Sequence, residues 1–327
     1  MFKRILLATD FSPHAEVAKQ IAQALAQGED KQLWALTVVE PLEEPLAEVG
    51  EPPMVATQEW QSAVALSEKE MEQERRFRLT QDMTELEAAG THVTSMVRVG
   101  DPAEEILTAA KEIRADLIVM GSHSNRTFWD VVLGSVTEKV AKQAPCPVLI
   151  VSHRPPHPAM VHQRILFATD FSPHAEMAFR VALSLAKEED QQLWLLTVIA
   201  PGEEIPMSPG FAVETPYPRV QELEAESRVE VEAKAQQRLN GLVAQAKELG
   251  IRAETLIRRG NAAKEICKAA VDLDADLIVL GSHSRRNIWD VLLGNTAESV
   301  SRRAYCPVLI VSHLPGNNAH SGEGTRQ

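Results

Sequence analysis

The sequence predicts an α/β protein built from two tandem copies of one doubly wound domain, each a five-stranded parallel sheet with helices on both faces. Three observations carry this. A shift of 160 residues lays the chain on itself: Ala8-Thr9-Asp10-Phe11-Ser12-Pro13-His14-Ala15-Glu16 returns as Ala168 to Glu176, Gly121-Ser122-His123-Ser124 as Gly281 to Ser284, and Cys146 to His153 as Cys306 to His313. About 70 of the paired positions are identical, and a period this long is the size of a domain, not of a solenoid unit. Within each copy, short apolar runs alternate with segments of helical periodicity, the order that gives a parallel sheet covered on both sides. The apolar runs are continuous, as in strands buried on both faces.

In the first copy Arg4 to Thr9 reads as the first strand. Ser12 and Pro13 supply an N-cap and a first-turn proline, and Val17, Ile21 and Leu25 set a helix from Ala15 to Gln27. Leu33 to Val39 is the second strand, and the Pro- and Glu-containing stretch Glu40 to Pro53 a loop. Ser67 to Ala89 is a long charged helix closed by Gly90, followed by a third strand from Val93 to Val99. Pro102 opens a helix to about Arg114, and Asp116 to Met120 is the fourth strand. Gly121 to Asp130 is a polar loop, Val132 to Ala144 a helix and Val148 to Val151 the last strand. The expected division is domain one over 1–153, a linker over 154–163, domain two over 164–313, and a polar tail over 314–327 expected to be disordered.

A chain of 327 residues with 44% hydrophobic content has apolar material for two cores. Its net charge of −13 argues against sequence-independent nucleic-acid binding, which needs basic surface, but leaves room for a small anion held by local donors. Cys146, Cys267 and Cys306 have no metal-ligand spacing, and Cys146 and Cys306 read as buried thiols. No apolar leader follows Met1 and no run approaches a membrane span, so a soluble, cytoplasmic protein without a membrane partner is expected.

Ligands of doubly wound sheets bind beyond the carboxyl ends of the strands, where strand order reverses. That rule selects Thr9-Asp10, Val38 to Glu40, and Gly121 to Ser135, with their counterparts Thr169-Asp170, Val198 and Gly281 to Asn295. Gly121-Ser122-His123-Ser124, nine residues, then Gly134-Ser135 leads from a strand end into a helix start. Gly121 lets the backbone turn away from the sheet, and Gly134 admits close approach of a ligand. Ser135 and the first-turn amides would donate to phosphate oxygens at the positive end of the helix dipole, with Arg126 screening the charge and His123 donating to phosphate or loop backbone. A loop that merely caps a helix is the alternative.

These motifs, with Pro-Val-Leu-Ile-Val at the end of each copy, resemble the universal stress protein family through nearly the whole chain. The resemblance implies the adenine nucleotide alpha-hydrolase-like form of the doubly wound fold, and ATP, ADP or AMP as ligand. The family's nucleotide-binding branch carries a G-x-x-G-x9-G-[S/T] motif, onto which Gly121, Ser124, Gly134 and Ser135 map, as do Gly281, Ser284, Gly294 and Asn295. Asp10 takes the acidic position after the first strand, Val38 the backbone contact to adenine, and Val136 and Thr137 continue the helix start. In the second copy Thr169, Asp170, Val198 and His283 follow. Two departures stand out: Ser124 and Ser284 replace the second glycine, and Asn295 replaces Ser or Thr, so the first site is expected to be the tighter.

Asp10 or Asp170 could carry Mg or Mn riding on the nucleotide, or could serve as an Asx cap of the following helix. The histidine pairs His14 and His174, His123 and His283, and His153 and His313 lie apart along each copy and are not expected to bind metal. Trp34 and Trp194 read as core, and Trp129 and Trp289 as packing beside the loop. No nucleophile with a paired base and no Walker lysine is visible, so any hydrolysis would be slow. The reading is a tandem stress-response protein sensing or signalling through nucleotide occupancy. Its alternatives are a nucleotide-free adaptor and, with less support, a nucleotidyl-transferring enzyme.

The final strands, Pro147 to Val151 and Pro307 to Val311, are apolar edges that invite pairing. The resemblance suggests dimerisation through them, here within one chain as a pseudo-dimer, and allows whole chains to pair further. The linker Ser152 to Gln163, with Pro155, Pro156 and Pro158, could span on the order of 40 Å. Antiparallel pairing centred on Leu149 and Leu309 would put Cys146 beside Ser312, away from Cys306, so no disulfide is expected.

Overall fold

The computed structural model of the protein describes residues 2–41, 58–122, 133–152, 163–187, 191–200, 217–282 and 293–312, with side chains from 66 and 228 onward in the two long helices. The linker, the tail and the greater part of the Gly121 to Ser135 and Gly281 to Asn295 loops lie outside them.

The first half runs β1 Arg4–Ala8, α1 Pro13–Leu25, β2 Gln32–Val39, α2 Gln58–Ala88, β3 Val93–Val99, α3 Pro102–Glu112, β4 Leu117–Gly121, α4 Ser135–Gln143 and β5 Val148–Val151. The second repeats it as β6 Arg164–Ala168, α5 Pro173–Leu185, β7 Gln192–Ile199, α6 Tyr217–Glu248, β8 Ala253–Arg259, α7 Ala262–Asp272, β9 Leu277–Gly281, α8 Asn295–Arg303 and β10 Val308–Val311. All ten strands form one sheet in the order β3-β2-β1-β4-β5-β10-β9-β6-β7-β8. Every pair is parallel except β5 with β10, which meet antiparallel with Leu149 opposite Leu309. The two halves thus share one sheet through the edges expected to pair. Ser312 Oγ donates to Ala144 O across this seam at 3.4 Å, and α5 packs on β10 as well as on β6.

Two apolar clusters cover the faces, and each runs through both halves. One lies under α1, α2, α5 and α6; the other under α3, α4, α7 and α8. β1 is buried along Ile5 to Ala8, as its unbroken apolar run predicts. The outer strands β3 and β8 are half-exposed, and their edges carry ion pairs: Arg98 with Glu105 and Glu112, Arg258 with Glu265 and Asp272.

Several boundaries differ from expectation for local reasons. Helix α2 begins at Gln58, nine residues before the expected Ser67, and extends for about 46 Å at the standard rise. Its buried residues Leu79, Met83 and Leu86 lie in the C-terminal half, at helical spacing. Helix α3 stops at Glu112 because Arg114 turns left-handed, at φ 51°, in place of a glycine. Asp116, expected in β4, instead accepts from the backbone amides of Lys3 and Arg4 and ties the sheet's lower rim together. Helix α4 starts at Ser135, not Val132, because Gly134 is extended (φ −59°, ψ 142°) and serves as its N-cap.

The halves solve one core contact differently. Lys19 is buried between α1 and α2, with Nζ 2.8 Å from Asp82 and 2.9 Å from Glu16. Burial opposes its charge, but the Asp82 and Glu16 bonds outweigh it and raise its pKa above the ordinary lysine value. In the second half the same places hold Phe179 and Leu242, and Phe179 packs on Phe167 with ring centroids 5.4 Å apart. Lys19→Met is expected to cost about 2 kcal/mol by stranding Asp82, and adding Asp82→Leu is expected to return all of it. Denaturant titration of both variants checks this; a double variant no more stable than the single would contradict it.

Candidate functional site

The strand order reverses between β1 and β4, whose carboxyl ends are separated by no other strand. The loop after β1 is shaped largely by local side-chain bonds. Thr9 N donates to Leu36 O at 2.9 Å, and Thr9 Oγ1 accepts from Phe11 N at 3.1 Å. Asp10 Oδ1 accepts from Ser12 N at 2.9 Å, an Asx turn that uses one carboxylate oxygen; Asp10 does not cap α1 as expected, because Ser12 holds the cap position. Ser12 Oγ then accepts from Ala15 N at 3.2 Å and caps α1, with Pro13 at the first helical position. Between these bonds Phe11 sits at φ 62°, a left-handed conformation that costs a bulky residue about 1–2 kcal/mol. The side-chain bonds on either side hold that strain, and Asp10 stands exposed at the rim.

Beside it, Gly121 ends β4 for a reason the sequence did not reveal. A Cβ there would stand 2.9 Å from His14 Cβ and 3.1 Å from Ala15 N, so glycine lets α1 seat directly on the strand end. Gly134 N donates to Ser122 O at 3.0 Å, closing the loop between them at its base. Among the described residues no side chain caps α4, and the amides of its first turn face the N-terminal rim, where Ser135 is exposed. Val38 completes the arrangement from β2. Leu36 O faces β1 and Val39 O faces β3, so alternation turns the N–H and C=O of Val38 toward β1, past its last residue.

The profile of the universal stress protein family matches residues 1–152 and again 162–312. The chain belongs to the universal stress protein family. It is 32% identical over 162 residues to a universal stress protein of Methanocaldococcus jannaschii, covering 47% of this chain and 97% of that one. A Thermus aquaticus member is 36% identical over 154 residues, with 46% and 99% covered. These relatives are single-domain length, so each matches one half. A solved universal stress protein from Archaeoglobus fulgidus covers 95% of this chain and 96% of its own at TM-score 0.61 and 23% identity, which shows the same fold through both halves.

In the second universal stress protein domain the β6 loop repeats the side-chain turns that follow β1. Phe171 N donates to Thr169 Oγ1 and Ser172 N to Asp170 Oδ1, with Phe171 at φ 60°. Val198 follows Leu196 O as Val38 follows Leu36 O. A Cβ on Gly281 would meet His174 C at 2.8 Å. Gly294 caps α8 without side-chain help, and Asn295 is exposed at its first position.

One expected contact takes a different form. Thr137 Oγ1 points inward and donates to Gly121 O at 3.0 Å, so its hydroxyl belongs to the fold and the residue offers the rim only its amide. Ala297 replaces it in the second domain. Val136 packs partly against the core. His123, Ser124, Arg126, His283 and Ser284 lie outside the described residues, as do Trp129, Trp289, His153 and His313. Trp34 and Trp194 pack against the core as expected. The described residues contain no cluster of three or more metal-ligating side chains. No described helix is long and apolar enough to cross a membrane. Cys146 and Cys306 are buried free thiols; desolvation pushes Cys146 up to about 12, which keeps it protonated and unreactive.

Proposed function

We propose that this tandem universal stress protein binds ATP, or a related adenine nucleotide such as ADP or AMP, and acts in the stress response through its occupancy. The observation that carries the reading is the uncapped N-terminus of α4, presented by a glycine beside the Asp10 loop at the sheet's reversal point. Phosphate oxygens would accept from the amides of Ser135, Val136 and Thr137, helped by the helix dipole. Gly121, Ser124 and Gly134 would supply close backbone approach, with His123 and Arg126 donating from the loop. The Val38 backbone would meet the adenine edge, and Asp10 would accept from the ribose or hold Mg or Mn on the phosphates. Thr169, Asp170, Val198, Gly281, His283, Ser284, Gly294 and Asn295 would repeat these roles.

The reading is of a binding protein in which any hydrolysis is incidental; among the described residues no nucleophile and base stand together at this rim. Mass spectrometry of small molecules released from freshly purified protein, followed by calorimetry with ATP, ADP and AMP, tests it. Released adenine nucleotide and saturable binding support the proposal. Protein that carries none and binds none would favour a nucleotide-free adaptor.

The two domains should not bind alike. Asn295 is bulkier than Ser135 at the helix start, so titration is expected to resolve a tighter first site, by about tenfold or 1.4 kcal/mol. Two equivalent sites would remove any functional meaning from this substitution.

A further inference from the structure

The Asp10 loop is braced from outside itself. Arg75, half-buried on α2, donates from Nη1 to the Asp10 carbonyl oxygen at 3.0 Å. The same guanidinium lies 5.4 Å from the Phe11 ring centroid, and that of Arg78 lies 5.9 Å from it. The loop's other side-chain bonds, from Thr9, Asp10 and Ser12, all run within four residues and shape the turn without fixing it against the rest of the domain. Arg75 fixes it: one planar group takes the carbonyl of the residue before the left-handed turn and lies near the ring at the turn.

The second domain keeps only part of this device. Arg238, the counterpart of Arg78, packs over Phe171 at 4.1 Å from the centroid. The counterpart of Arg75 is Ala235, whose methyl group has nothing to donate to the Asp170 carbonyl. The flanking positions Leu79 and Leu239 are both fully buried, which confirms that the two long helices align in this register.

Resting on the nucleotide reading above, we infer that Arg75 is a positioning residue of the first site. It holds the Asp10 peptide so that the carboxylate oxygen not used by Ser12 stays aimed over the rim, and its absence at position 235 is a second source of difference between the two sites. The long helix α2 is then part of the binding apparatus through this one side chain, and movement of α2 would change affinity at the first site.

The full chain is titrated with ATP, with and without Mg, as wild type, Arg75→Ala, Arg75→Lys and Ala235→Arg. Arg75→Ala is expected to weaken the first site about tenfold and leave the second unchanged. Arg75→Lys, which keeps one donor to the carbonyl, is expected to recover part of that loss. Ala235→Arg is expected to tighten the second site. Without nucleotide, amide exchange at Phe11 and Ser12 is expected to quicken in Arg75→Ala while exchange in β1 and β4 does not. If wild type binds ATP and Arg75→Ala binds it equally at the first site, the inference is overturned and the nucleotide reading stands. Equal weakening of both sites, or early melting that Arg75→Lys does not rescue, also overturns it, because Arg75 would then serve only folding. Wild type that binds no ATP overturns both.

Discussion

Gly134→Val is expected to abolish nucleotide binding at the first site while the chain stays folded. Gly134 is the N-cap of α4 in an extended conformation that valine adopts without strain. Its carbonyl still accepts from Glu138 N, and its amide still donates to Ser122 O. The fold therefore loses only the preference of a cap position for glycine over a branched side chain, roughly 1 kcal/mol. The proposed ligand loses more. Two methyl groups would stand over the open amides of Ser135 and Val136, and two charge-assisted bonds at about 1.5 kcal/mol each correspond to at least a hundredfold in affinity. Calorimetry with ATP, beside a thermal melt, reads both quantities. Unchanged affinity in a folded Gly134→Val would show that phosphate does not sit at α4.

Gly281→Ala is expected to destabilise the second domain markedly. The new Cβ would stand 2.8 Å from His174 C, 2.9 Å from Ala175 N and 3.0 Å from His174 O. These are backbone atoms of the first turn of α5, so the clash can be relieved only by lifting the helix from the sheet. Overpacking of this kind costs about 1–3 kcal/mol, or roughly 3–10 °C for a domain of this size. Lifting α5 also moves Ser172 and hence the Asp170 loop, so affinity at the second site should fall with stability. At Gly121 the nearest atom is the His14 side chain, at 2.9 Å, and Gly121→Ala should cost less. A melt of the two variants compares them. Gly281→Ala melting within a degree of wild type would mean that α5 yields freely.

These cases show where sequence reading stops. The β1 to α1 turn was legible because Ser12-Pro13 is a local cap signal, and the structure repeats it in both halves. The glycine at 121 was legible as an unusual position but not for its cause. Its reason is His14, over a hundred residues away, and no local signal carries that contact. Thr137 matched a family position, yet its hydroxyl serves the Gly121 carbonyl; the burial that turns it inward comes from the strand beneath. Arg75 was invisible as a site residue. It lies in a charged helix whose surface sequence resembles any solvated face, and only the packing of α2 on the β1 loop selects it.

By itself the sequence determined that the chain is a duplicated α/β domain, where its strands lie and which strand ends form the rim. The duplication follows from a constant offset of 160 residues, and the strands and helix starts from continuous apolar runs and capping residues, which act between near neighbours in the chain. The pairing of the two final strands was also legible, from their apolar edges; the tertiary structure decided that α1 and α5 press on glycine strand ends and that α2 braces the Asp10 loop through Arg75. Those outcomes depend on which distant surfaces meet, and a contact between residues a hundred positions apart leaves no period or spacing in the chain to reveal it.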